Sequence, residues 1–199
     1  MYKRQKYDDA TGLFFINGNN LENGNVTITS KTREVSESEF KKHFIAMTES
    51  TVLLSINGTI GKVAIYRGEP IVLGKSAAYI NCKPKLVPRF LMLFLESANA
   101  TQYYHLVSTG TTISNLSLES IRQLRIGIPD EKEQLEIVVE CQKATEKFDK
   151  LIGTAEDVAE LLRERRTALI SAAVTGKIDV RGWKPPSSAA KSETEMEVA

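Results

Sequence analysis

The chain has 199 residues with 42% apolar and 26% charged residues and a formal net charge of +1, ordinary values for a globular protein. No run of 18 or more apolar residues and no apolar leader after MYKRQKYDDATG is present, which speaks against a membrane span or secretory signal, and a cytoplasmic protein is the simplest expectation. Cys82 and Cys141 are the only two cysteines and lie far apart, which argues against a disulfide framework or a four-ligand zinc site.

The charge is uneven along the chain. Residues 1–128 hold 15 Lys and Arg against 10 Asp and Glu, while residues 129–199 hold 11 against 15. The first part could meet phosphates and the second would repel them, although a surface excess of this size is also that of a plain solvated domain.

The first part reads as short strands and turns, and nine of the 12 glycines precede Pro129. Leu13–Ile16 is an apolar run that ends at Asn17-Gly18-Asn19-Asn20, and Asn25–Thr29 alternates like a half-buried strand. Ser36 to Phe44 predicts a short helix, with Ser36 as N-cap and Glu39 three residues on. Val52–Ile56, Asn57-Gly58 and Thr59–Tyr66 together predict a tight hairpin, since Asn-Gly accepts positive φ at both turn positions. Ile71–Leu73 and Ala77–Ile80 are further strands, Pro88–Tyr104 is one helix packed on the sheet, and Leu124–Ile128 is a last strand.

From Asp130 the pattern is helical. Pro129, Asp130, Glu131 and Glu133 suit a helix start, where acidic groups meet the positive dipole end, and Gly176 suits the stop. Such a helix would be about 65 Å long. Alternating steps of three and four connect Val138, Cys141, Thr145, Phe148, Ile152, Ala155, Ala159, Leu162, Arg166, Leu169 and Ala173, of which nine of 11 are apolar. This is a coiled-coil seam, which needs a partner helix outside the chain or a fold-back onto its own domain. The tail from Lys184 is polar and Pro/Ser/Glu-rich and reads as disordered.

The chemistry-bearing motifs are incomplete. Gly74-Lys75-Ser76 suggests a phosphate loop, but the first glycine of that pattern would fall on Glu69, and the following residues read as a strand. His43 and His105 lack neighbours suited to a metal site or a nucleophile–base pair. The acidic residues after Pro129 are better explained by helix capping than by a nuclease carboxylate–lysine pattern, and no methyltransferase-type Asn/Asp-Pro-Pro-aromatic motif occurs. A catalytic, metal or cofactor role is therefore not expected of this chain.

Three segments, in order, resemble the specificity subunits of type I restriction–modification systems. The first is Ser55–Ala64, similar to that family's glycine hairpin. The second runs from Ser108-Thr109-Gly110-Thr111-Thr112 through Ser114-Asn115-Leu116 and Ile126-Gly127-Ile128-Pro129 to Glu133-Gln134 and Ile137-Val138. The third is Leu162–Ile170 with Ala172–Val180, similar to the family's helix end. The resemblance implies an α+β protein: a strand-rich target recognition domain with a few short helices over residues 1–128, a coiled-coil helical region over 129–181 and a tail over 182–199. It implies a non-catalytic subunit that reads one half of a split double-stranded DNA target and assembles with methyltransferase and restriction subunits, with S-adenosylmethionine held by the methyltransferase. The family carries two recognition domains and two helical regions, and this chain has one of each. It is then a half-subunit that dimerises through its helix, or the C-terminal half of a longer reading frame, with a recognition domain shortened at its N-terminus.

Loop residues able to meet phosphates or base edges are Lys31, Arg33, Asn57, Lys62, Lys75, Ser76, Thr109, Thr111, Thr112 and Ser114. The interface residues of the helix are Val138, Cys141, Phe148, Ile152, Ala155, Ala159, Leu162, Leu169 and Ala173. Two other readings remain open: an enzyme using Gly74-Lys75-Ser76 as a nucleotide site, and a coiled-coil scaffold that no longer binds DNA.

Overall fold

The computed structural model describes residues 11–110 and 114–184. Two compact units divide the chain, Met1–Gln142 and Lys143–Ala199. The architecture is mixed α+β with short strands and a long C-terminal helix, as the sequence predicts.

The first unit is organised by strand β4 (Thr51–Ser55), all five residues of which are buried. It lies between β5 (Val63–Ile65) and β7 (Ala77–Asn81), antiparallel to both. Strand alternation sends successive side chains to opposite faces. Val52, Leu54 and Ile56 therefore join one cluster with Leu91, Met92, Leu95, Tyr104 and Leu116. Leu53 joins a second cluster with Ile16, Leu21 and Ile71. Strands β1 (Phe14–Ile16) and β6 (Ile71–Leu73) pair in parallel beside it, and β2 (Leu21–Glu22) pairs with β3 (Asn25–Val26). Helices α2 (Pro88–Glu96) and α3 (Ala98–Val107) supply the helical side of the first cluster.

Several expected elements stand as read. Helix α1 is Glu37–His43, and Ser36 Oγ accepts from the Glu39 N–H at 3.3 Å. Three others differ, each for a local reason. The β4–β5 hairpin exists, but residues 56–62 connect it rather than a two-residue Asn-Gly turn. Positive φ falls at Gly58 (74°) and Gly61 (92°) and not at Asn57, so the chain loops wide before β5 begins. The expected helix over Pro88–Tyr104 is two, because Ser97 is extended (φ −67°, ψ 158°) and its hydroxyl accepts from the Ala100 N–H, starting α3 afresh. The expected strand Leu124–Ile128 has no ladder partner among the described residues; its alternation arises because Leu124 and Ile126 pack against the first cluster. A short helix, α4 (Leu118–Gln123), precedes it, capped by Ser117.

Helix α5 spans Glu131–Val174, 44 residues. Asp130 Oδ1 accepts from the Glu133 N–H at 2.9 Å, which caps its start. At its end the Lys177 N–H reaches the Ala172 carbonyl at 2.8 Å around Gly176, whose φ is +73°, a conformation natural to glycine. Among the described residues no helix is long and apolar enough to cross a membrane. Tail residues 185–199 lie outside the described residues.

Candidate nucleic-acid interface

Three chain segments converge on one end of the three-stranded sheet, where β4 ends and β5 and β7 begin. The loop 56–62 leaves β4 there. The turn Gly74–Ser76 enters β7 there, with the Ile56 N–H donating to the Ser76 carbonyl at 2.9 Å. The third is the loop after α3. Thr109 and Asn115 exchange N–H···O bonds of 3.0 and 2.8 Å, which close its neck. The Gly58 N–H then donates to the Ser114 carbonyl at 3.0 Å and the Leu116 N–H to the Ile56 carbonyl at 2.8 Å, which pin this loop to the first.

Asn57, Thr109 and Ser114 are thus brought together and exposed, and Lys75 is exposed on the adjoining turn. Thr111 and Thr112 lie outside the described residues. Lys62 closes the hairpin loop, with its Nζ 3.6 Å from Glu22. The Ser76 side chain turns inward: its hydroxyl donates to Asn17 Oδ1 at 3.1 Å and accepts from the Gly18 N–H at 3.0 Å. That arrangement ties the end of β1 to the start of β7. It also accounts for the Gly-Lys-Ser sequence without a phosphate: the hydroxyl is engaged within the fold and a strand, not a helix, follows.

Lys31 and Arg33 belong to a neighbouring segment. Asn20 Nδ2 donates to the Thr27 carbonyl at 3.1 Å, which holds that segment beside residues 17–20. Lys31 is exposed; Arg33 lies 5.3 Å over the Phe15 ring with its guanidinium 3.6 Å from Glu39. Its charge is therefore partly neutralised and its plane oriented. The network of Asn17, Gly18 and Ser76 was missed in the sequence, because its members are about 58 residues apart and each reads as an ordinary turn residue.

The helix presents a different surface. In the first unit Val138 is half-buried and Cys141 exposed. In the second, Phe148, Ile152, Leu162 and Leu169 are 63, 55, 58 and 50% exposed; Ala155 is exposed, and Ala159 and Ala173 are half-buried.

A family model for the type I restriction modification DNA specificity domain matches residues 5–161, and the chain belongs to that family. Among solved structures, one chain from a study of complex assembly and conformational transition of the type I R-M system superposes with a TM-score of 0.62 at 18% identity. The match covers 82% of this chain and 39% of that one. A type I restriction–modification S subunit from M. genitalium gives a TM-score of 0.48 at 15% identity, over 77% of this chain and 37% of that one. The chain therefore spans about two fifths of the solved chains it matches. No curated protein matches it.

Proposed function

We propose that this chain reads one half of a split double-stranded DNA target as a specificity subunit, and that it works only when paired. The observation that carries the reading is the convergence of residues 56–62, 74–76, 108–110 and 114–115 at one sheet end. They bring hydroxyl, amide and lysine side chains from distant sequence onto one exposed surface. Asn57, Thr109 and Ser114, with Thr111 and Thr112 beside them in sequence, are the candidates for base edges. Lys31, Arg33, Lys62 and Lys75 are candidates for phosphates, which position a protein without reading sequence. Ser76 contributes by holding the turn that carries Lys75.

Family membership supports DNA specificity, and the exposed stripe of α5 supports assembly. A helix with one uncovered apolar stripe gains stability by burying it against another helix. Two copies related by a twofold axis would present two identical recognition domains to two half-sites. The same helical region would engage a methyltransferase subunit, through it a restriction subunit, and S-adenosylmethionine would bind in the methyltransferase.

The test is co-expression with a candidate type I methyltransferase subunit, followed by sequencing of methylated bases across the host DNA. Methylation at a two-part symmetric target is the expected result. Complex formation without any new methylation would favour a scaffold that no longer reads DNA.

A further inference from the structure

The most fully enclosed polar side chain of α5 is Gln134, which has no exposed surface. It sits one turn into the helix and uses its amide in three directions. Nε2 donates to the Lys85 carbonyl at 2.8 Å and to the Pro129 carbonyl at 2.9 Å, and Oε1 accepts from the Val87 N–H at 2.8 Å. Two carbonyls and one N–H fix which end of the amide is which. Each partner has a structural reason to need it. Val87 is the N-cap of α2 and has no side-chain cap of its own. Lys85 has φ of +82°, a conformation that residues with a Cβ hold only when their surroundings enforce it. Pro129 immediately precedes the capping residue of α5. One amide therefore ties the start of α5 to the loop that opens the core helix α2, all within the first compact unit.

We propose that Gln134 is a positioning residue that fixes the first turns of α5 on the recognition domain and so sets the spacing between the two half-sites. The inference rests on the split-target reading for its second half only. Apolar packing can slide by fractions of a turn at little cost, whereas three directional hydrogen bonds in a dry site admit one geometry. If α5 links two recognition domains, play at this joint becomes play in the number of base pairs between half-sites.

Two measurements separate the joint from the function. In a background with Cys82→Ala and Cys141→Ala, spin labels at Lys31→Cys and Val139→Cys, both exposed and within the first compact unit, diluted with unlabelled protein, report the distance between recognition domain and first helix turns by pulsed electron resonance. The expected result is a narrow distribution that becomes roughly twice as broad in Gln134→Leu and in Gln134→Glu, while Gln134→Leu still melts cooperatively. An unchanged width, or a broad distribution before substitution, overturns the joint whether or not DNA is bound. In cells holding the methyltransferase, Gln134→Leu is expected to methylate the same half-site sequences at additional spacer lengths. A merely structural role would lower methylation at the original spacer alone, and that outcome overturns the spacing claim. Absence of methylation by the unaltered chain refutes the split-target reading, and with it the spacing claim, and leaves the label widths to decide the joint.

Discussion

All five residues of β4 are buried, with Val52 and Leu54 turned to one cluster and Leu53 to the other, whereas Phe148, Ile152, Leu162 and Leu169 of α5 stand half or more exposed. Both segments are amphipathic or apolar by sequence, yet among the described residues only the strand is fully buried. A strand is narrow and can be covered on both faces by a domain of modest size. A 44-residue helix needs a long second surface to cover an apolar stripe. The difference is one of burial: the strand is closed in on both faces, and the helix keeps an exposed apolar stripe.

Substitutions at the two places should fail in different ways. The largest effect is expected from Leu162→Asp with Leu169→Asp. It should abolish self-association and capture of the methyltransferase in size exclusion while the melting of the recognition domain stays unchanged. An intact complex would remove the seam from the account. Next, Leu54→Ala should cost about 2–5 kcal/mol in chemical denaturation, as a cavity opens in a filled core, and should leave association of the surviving folded protein intact. Gly18→Ala follows, at about 1–3 kcal/mol, since its Cβ would strike Ser55 Oγ and lie 2.9 Å from Ser55 Cβ. Tyr104→Phe is smaller, about 1 kcal/mol, for the bond its hydroxyl donates to the Leu95 carbonyl at 3.1 Å. Burial pushes that phenol well above its ordinary range, so it stays protonated and the bond survives alkaline titration of the exposed tyrosines. The least change in stability is expected from Lys62→Gln with Lys75→Gln, which should instead lower the slope of log affinity against log salt by about 2. An unchanged slope would take both lysines off the phosphates.

What the sequence disclosed follows the same division. Helix α5 was legible nearly to the residue, because its start at Asp130, its stop at Gly176 and its seven-residue repeat are all local signals. Strands β4, β6 and β7 were legible from apolar runs bounded by turns. The break at Ser97 was not, since α2 and α3 are both good helix sequences and only the serine's cap divides them. Pairing was less visible still. Nothing local reports that β1 runs parallel to β6, or that Asn17 waits for Ser76. At the candidate interface, the loop residues could be chosen by type, but their convergence depends on strand order, which composition does not carry. Gln134 was noticed only as part of a family-like Glu-Gln pair; its burial comes from a loop about 48 residues earlier.

The exposed apolar stripe of α5 also bears on how much of this protein a cell can hold. If an assembly covers this stripe, a copy outside it carries Phe148, Ile152, Leu162 and Leu169 into solvent, the kind of surface that chaperones and proteases engage and that promotes aggregation. A partner that binds only the folded chain protects it by mass action. Synthesis beyond the supply of partners would then be cleared rather than stored, so the number of working complexes would follow the scarcer subunit.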